Sequence, residues 1–440
     1  MILEIVGILI LVLLIALSIG LHELGHFLPA KHYGVKVTEF MIGFGPALWT
    51  RVKGETRYGL KAVPLGGYVR MIGMIPPAAV DTTPEAAAAR GRFATMIEDA
   101  REQSLAEVGP DDADRVFYRL PVHRRVVIML GGITMNLILA TVLFSIVLVG
   151  IGLPQPSLTV GAVVACTPSA EHPTGAALPS GNCPTGTQST PAVAAGLQRD
   201  DVITSVNGTA VTAWDDVSRQ LRASGGQSVT LGITRDGSAI TVPMLVASVD
   251  RPEYDELGQP TGATVASGFV GVSPGVEYVQ QGWTEVPAYM WSLTSATAQA
   301  LVSMPVRLYE LVAQTLIGGE ERAIDGPVSV VGVSRIGGQV AAMDEPLKGK
   351  IATFLGLAAS LNLFLALFNL LPIPPLDGGH VAGALYEALR RSLARMRGRP
   401  DPGPVDVARL LPIAYLTAIV LVGMGVVVIW ADLVKPISLG

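Results

Sequence analysis

Charge is what this 440-residue chain has least of: 15% of its residues are Asp, Glu, Lys or Arg, while 50% are hydrophobic. Soluble domains carry about 25% charged residues, so this balance, with a mean hydropathy of +0.48, excludes an ordinary soluble enzyme and a disordered chain alike. Basic residues are also short: 31 Lys and Arg stand against 36 Asp and Glu, a net charge of −5 that gives no field for nucleic acid. Two cysteines, Cys166 and Cys183, are too few for a disulfide framework or a cysteine zinc site, and leave room for one bridge outside the cytoplasm. No internal repeat is evident.

Long apolar runs are what the chain has instead. Four stretches reach the ~20 residues a membrane helix needs: Ile2 to Leu21, Val126 to Leu153, Ile351 to Ile373 and Leu410 to Trp430. Nothing basic precedes the first, Glu4 sits in its head and no small-residue cleavage site follows, so it is expected to stay in the protein rather than act as a signal peptide. Lys and Arg number 14 in 27–125, 10 in 154–350 and six in 374–409. Arg124 and Arg125 abut the second span and a run from Arg390 to Arg399 precedes the fourth, so both loops are expected to be cytoplasmic and 154–350 to face outward.

The first span runs into His22-Glu23-Leu24-Gly25-His26. Two histidines four apart share one helical face and can hold one zinc, and in zincins the glutamate between them acts on the hydrolytic water as general base. Ionisable residues beside a span are costly and functional by default, which favours chemistry over a chance pattern at a helix end. A third ligand is required. The third span leads into Asn369-Leu-Leu-Pro-Ile-Pro-Pro-Leu-Asp377-Gly-Gly-His380. Spans one and three cross in the same direction, so Asp377 arrives at the leaflet of His22 and His26. Asp377 would give a His₂Asp site open to water; His380 is the rival ligand.

HELGH after the first span together with NLLPIPPLDGG after the third resembles the site-2 protease family of intramembrane zinc metalloproteases, in its bacterial, PDZ-containing, actinobacterial-like form. The family pattern Asn-x-x-Pro-x-Pro-x-x-Asp-Gly is met by Asn369, Pro372, Pro374, Asp377 and Gly378. The resemblance implies Zn2+ held by His22, His26 and Asp377, Glu23 as catalytic base, and Asn369 as a residue holding the substrate backbone or oxyanion. Taken alone, Asn369 also fits a helix-packing amide and the prolines a simple helix stop.

Gly43-Phe44-Gly45-Pro46, with alternating segments from Leu60 to Val63 and Tyr68 to Met71, resembles the family's membrane re-entrant β-structure. Its edge would bind an unwound substrate by strand addition, with Gly43, Phe44 and Gly45 as substrate-binding residues; a peripheral cytoplasmic hairpin is the alternative. Gly131-Gly132-Ile133-Thr134-Met135-Asn136 opens the second span where the family usually has a proline near Ile133, and no role is assigned to this turn. Residues 192–211 resemble the core of a bacterial PDZ domain, followed by a helix from Trp214 to Ala223 and strands at Val229–Thr234 and Ile240–Leu245. Asp200 stands where a glycine is common, and Asp tolerates the left-handed turn.

Pro168 to Thr190 reads as a loop that a Cys166–Cys183 disulfide would close, worth ~3 kcal/mol at most. Ala288 to Ile317 reads as a juxtamembrane helix rather than a fifth span. Asp325-Gly326-Pro327-Val328 resembles a short family segment after the PDZ module, and Pro76 to Asp114 reads as a flexible insert or loose helix.

The expected fold is an α-helical polytopic membrane protein of about four transmembrane helices, with a re-entrant β-structure and an extracytoplasmic PDZ-like α+β domain. Its expected divisions are 1–34 (first span with HExxH), 35–75 (β-region), 76–125 (cytoplasmic loop), 126–153 (second span) and 155–272 (PDZ-like). The remainder divides into 273–350 (juxtamembrane), 351–380 (third span with LDG), 381–409 (basic loop) and 410–432 (fourth span). The resemblance implies a multi-pass protein of the bacterial inner membrane, with its active site near the cytoplasmic leaflet. It also implies hydrolysis within the spans of pretrimmed single-pass proteins, anti-sigma factors being the leading class; lipid is the other partner. Alternatives are a catalytically silent PDZ-bearing scaffold and a membrane zincin of quality control. Oligomeric state is not legible.

Overall fold

The computed structural model describes residues 2–77, 92–167, 182–254, 260–316 and 326–436. Four of its helices are long and apolar enough to cross a membrane: Ile2–His32, Val122–Ile151, Leu347–Asn369 and Val407–Val434. Large apolar side chains stay exposed on them, such as Leu13 and Leu17 on the first and Ile419 and Val422 on the last. An outward apolar face is stable only against lipid, so the chain is a multi-pass membrane protein. It divides into two compact units, Met1–Gly150 with Gly282–Gly440, and Ile151–Gln281.

In the first unit, helix α1 (Ile2–His32) carries the apolar run through the HExxH turn without interruption. Strands β1 (Val37–Lys53) and β2 (Thr56–Met71) follow as a long, bent hairpin. Its register sets Met41 opposite both Tyr68 and Gly59, and Ile42 opposite both Gly67 and Leu60, so the two strands curl into a small sheet. Gly43 and Gly45 take φ of +91° and +84° at the bend, and a Cβ on Gly43 would sit 2.7 Å from the Val63 carbonyl oxygen. Within the stretch expected to be an insert or loose helix, Arg92–Ala106 forms α2, and 78–91 lie outside the described residues.

Helix α3 (Val122–Ser145) continues as a π-helical turn over Ile146–Ile151. α1 and α3 meet at glycines: a Cβ on Gly25 would lie 2.3 Å from the Gly131 oxygen, and one on Gly131 2.0 Å from the Gly25 oxygen. Small residues at a helix crossing let backbones touch, the principal packing device between helices in lipid.

The second unit contains β3 (Leu153–Val163), the short α4 (Pro191–Ala194), β4 (Val202–Val206), β5 (Thr209–Ala210), α5 (Trp214–Ala223), β6 (Ser228–Arg235) and β7 (Ser238–Leu245). It ends with β8 (Ala247–Tyr254), β9 (Pro260–Phe269) and β10 (Val272–Val279). Six strands form one sheet in the order β10-β3-β4-β6-β7, with β5 on β4, and β8 pairs with β9. α5 covers the residues whose spacing predicts a helix, and it buries Val217 and Leu221 against Ile203, Leu231 and Ile233.

Asp200 adopts the left-handed turn (φ +71°), and Asp201 accepts both Nε and Nη2 of Arg235 at 2.7 and 2.8 Å. Cys166 and Cys183 are joined by a disulfide with Cα atoms 5.6 Å apart. Residues 168–181 of the loop it closes lie outside the described residues.

Back in the first unit, Ala288 to Leu316 of the expected juxtamembrane stretch falls on α6 (Glu285–Leu316), which is not one of the four apolar helices able to cross a membrane; Ile317 lies outside the described residues. Asp325 lies outside the described residues; Ser329 then caps α7 (Val330–Ala342). The third span departs from its expected bounds. Helix α8 (Leu347–Asn369) stops at Asn369, and Asp377 opens a separate helix, α9 (Asp377–Met396). Pro372, Pro374 and Pro375 explain the break, since proline cannot donate to a helix and pushes the residue before it out of helical geometry. The last span, α10 (Leu411–Val434), is entered through a 3₁₀ turn at Val407–Leu410.

Candidate metal centre

One turn of α1 puts His22 and His26 on the same face, and the Asn369–Asp377 break brings a carboxylate to them. The Nε2 atoms of the two histidines are 3.3 Å apart, and Asp377 Oδ2 lies 3.4 Å from His22 Nε2 and 3.3 Å from His26 Nε2. Four tetrahedral ligands at the usual zinc–nitrogen distance stand about 3.3 to 3.4 Å from one another, so this near-equilateral triangle has the size of three corners of a zinc site. Among the described residues, these three form the group of His, Cys, Asp and Glu able to hold a metal ion.

Each corner is held by its own local chemistry. His26 Nδ1 lies 2.8 Å from the Ile128 carbonyl oxygen of α3, so Nδ1 is the protonated donor and Nε2 keeps its lone pair for a metal. Asp377 Oδ2 is buried and accepts no hydrogen bond among the described residues. The fit between donor set, spacing and this oxygen supports zinc there.

The two glycines after Asp377 place it. A Cβ on Gly378 would sit 2.4 Å from the carbonyl oxygens of Leu370 and Leu371, and one on Gly379 2.7 Å from Pro374 nitrogen. The proline turn therefore folds directly onto the first turn of α9, with Asp377 at its start. On the other side, Gly132 of α3 faces the imidazoles so closely that a Cβ would be 2.3 Å from His26 Nε2 and 2.8 Å from His22 Nε2.

Glu23 is 8% exposed and pressed by the hairpin, since a Cβ on Gly67 would come within 2.8 Å of Glu23 Cγ. His22, Glu23, Asn369 and Asp377 line one cavity of about 250 Å³ with Gly66, Gly67 and Asn136. Gly43, Phe44 and Gly45 do not line it. Phe44 instead stacks on Tyr68 and lies against Gly66. His380 sits one turn along α9 in a different cavity, with Arg125 and Glu387.

Sequence reasoning missed Gly132, Gly67, the Ile128 carbonyl and Asn136. A pair of adjacent glycines opening an otherwise apolar span, Gly131-Gly132, was the available signal for the first.

The model for peptidase family M50 matches residues 10–400. Over 437 residues, covering 98% of each chain, the protein is 33% identical to zinc metalloprotease Rip1 of Mycobacterium tuberculosis (strain ATCC 25618 / H37Rv). It is 31% identical over 445 residues to zinc metalloprotease Rip1 of Mycolicibacterium smegmatis, covering 99% of this chain and 98% of the relative. Metalloprotease MmpA of Caulobacter vibrioides is 28% identical over 394 residues, 87% of this chain and 86% of its own. With a zinc-sized donor triangle on an HExxH helix inside the matched region, the chain belongs to peptidase family M50, the site-2 protease family of zinc metalloproteases.

Proposed function

We propose that the protein hydrolyses peptide bonds within the transmembrane segments of pretrimmed single-pass membrane proteins of the bacterial cell membrane, anti-sigma factors being the leading class. The observation that carries this reading is the donor triangle of His22, His26 and Asp377 with Glu23 in the same cavity, the histidines and Glu23 on a membrane-length helix and Asp377 just past the end of another.

In this reading His22, His26 and Asp377 hold the metal. Zinc, when bound, supplies Lewis acidity that polarises a carbonyl oxygen and lets water lose a proton near neutral pH. Glu23 takes that proton at its carboxylate and returns it to the leaving amide nitrogen. Asn369 holds the scissile region by its amide. The edge of the hairpin at Gly66-Gly67 receives the unwound substrate as an added strand; Gly43, Phe44 and Gly45 shape that edge from behind. A helix must lose its own hydrogen bonds before a protease can reach its backbone, and strand addition replaces them inside a medium that offers few others.

The second unit is proposed as a PDZ-like domain on the outer side that excludes substrates with bulky outer portions. The disulfide between Cys166 and Cys183 supports the outward assignment, because such bonds persist in oxidising compartments. Glu23 and Asp377 side by side argue against a silent scaffold. A donor group without glutamate argues against the quality-control zincin, whose third ligand is commonly a glutamate.

The test is co-expression with an anti-sigma factor trimmed on its outer side, comparing wild type with Glu23→Gln. The reading expects a shortened cytoplasmic product only with wild type; the same product with both proteins would remove Glu23 as base.

A further inference from the structure

Asn136 is fully buried in α3, yet neither its Oδ1 nor its Nδ2 has a hydrogen-bond partner among the described residues. An unpaired buried amide is expensive, and native proteins keep such groups where something else will pair with them. Its position says what that something is. Gly132 and Asn136 stand four apart on one face of α3. Gly132 leaves room at the two imidazoles, and Asn136, one turn on, lines the cavity shared by His22, Glu23, Asn369 and Asp377.

We propose that Asn136 is a substrate-binding residue whose side-chain amide pairs with a main-chain peptide group of the unwound substrate beside the scissile bond. The proposal rests on the reading of this cavity as a peptide-hydrolysing zinc site. A peptide unit pulled out of its helix presents one C=O and one N–H that low-dielectric surroundings leave unsatisfied. A primary amide is the side chain that answers both, Nδ2 donating to the carbonyl oxygen and Oδ1 accepting from the N–H. Asn369 lies in the same cavity, so two amides are available to an extended backbone.

The test separates this role from a structural one by opposing stability to recognition. Full-length, zinc-loaded protein in detergent is titrated with acetohydroxamate, which has no peptide backbone, and with an apolar tripeptidyl hydroxamate, which has one. For Asn136→Leu the tripeptidyl compound is expected to bind about 5- to 10-fold more weakly, the range of one hydrogen bond. Acetohydroxamate affinity should stay the same, and the melting temperature of the unliganded protein should stay level or rise as an orphan amide becomes apolar. Asn136→Ala, which adds no bulk, is expected to repeat the affinity pattern. Unchanged tripeptidyl affinity in both variants would overturn the proposal and assign the amide to an ordered water. A lower melting temperature with both ligands equally weakened would overturn it in favour of a structural role. If zinc-loaded wild type bound neither hydroxamate, the zinc-peptidase reading would fail first and the assignment of Asn136 with it.

Discussion

Asn362 of α8 donates a hydrogen bond to the Ser18 hydroxyl of α1 at 2.8 Å, one helical turn before His22. Asn362 is fully buried, and its Nδ2 also donates to the Ala358 carbonyl at 2.8 Å. This bond ties the helix of the two histidines to the helix that delivers Asn369 and, after the proline turn, Asp377. Polar contacts between helices in lipid contribute about 0.6 to 2 kcal/mol. Asn362→Leu should therefore lower the melting temperature in detergent and weaken zinc binding together. Ser18→Ala should do less, because Asn362 keeps the Ala358 carbonyl. Thermal unfolding of both single variants and the double variant checks this: the double should be no worse than Asn362→Leu alone.

Gly132→Ala places a methyl where the imidazole edges already are, with 2.3 Å to His26 Nε2. One histidine must turn away, so zinc affinity should fall by at least the 10- to 100-fold typical of disturbed ligand orientation. Competition against a chromogenic chelator measures it. Gly150→Ala, with no atoms near the added methyl, is the control expected to bind zinc as wild type does.

Metal content distinguishes the candidate ligands. His22→Ala, His26→Ala and Asp377→Ala should each reduce zinc from about one per chain towards none, since three protein ligands are the minimum of a catalytic site. His380→Ala should retain it, because that imidazole lies in the cavity of Arg125 and Glu387. Loss of zinc only in His380→Ala would reverse the assignment.

The second unit carries a pH signature. The Arg235 guanidinium, hydrogen-bonded to both carboxylate oxygens, holds Asp201 below the ordinary carboxylate range, helped by the Gln198 N–H. A carboxylate lowered in the folded state stabilises fully above its unfolded pKa of about 3.9 and loses that contribution as pH falls towards the folded value. Hydrogen exchange at residues 197–204 should be faster in Asp201→Asn than in wild type at pH 7. The difference should shrink below about pH 4, where the unfolded-state carboxylate binds its proton.

The spans and the two histidines were legible because apolar length and an i, i+4 spacing are properties of consecutive residues. The helix over Trp214–Ala223 was legible for the same reason, whereas the left-handed turn at Asp200 was expected only through the resemblance to a PDZ core, where a glycine is common. Counting membrane crossings brought Asp377 and His380 alike to the leaflet of the histidines, and the family resemblance singled out Asp377; its independent helix was not legible, since prolines tell where a helix stops and not where the next begins. Gly132, Gly67 and the Ile128 carbonyl act across 40 to 110 positions of sequence, and a single sequence holds no trace of what faces a glycine. The substrate-binding role expected of Gly43, Phe44 and Gly45 was read from their motif alone, whereas which residue lies against Glu23 depends on the hairpin register, and there it is Gly67 of the second strand.

The central claim is hydrolysis inside a membrane span by a zinc site that uses Glu23 as base. Purified zinc-loaded protein should be incubated with a pretrimmed single-pass substrate in detergent, and the product termini mapped by mass spectrometry for wild type and Glu23→Gln. Wild type should cleave between residues of the substrate's apolar span and Glu23→Gln should not, although its zinc content is unchanged. Cleavage confined to the substrate's aqueous flanks, or equal cleavage by both proteins, would contradict that claim.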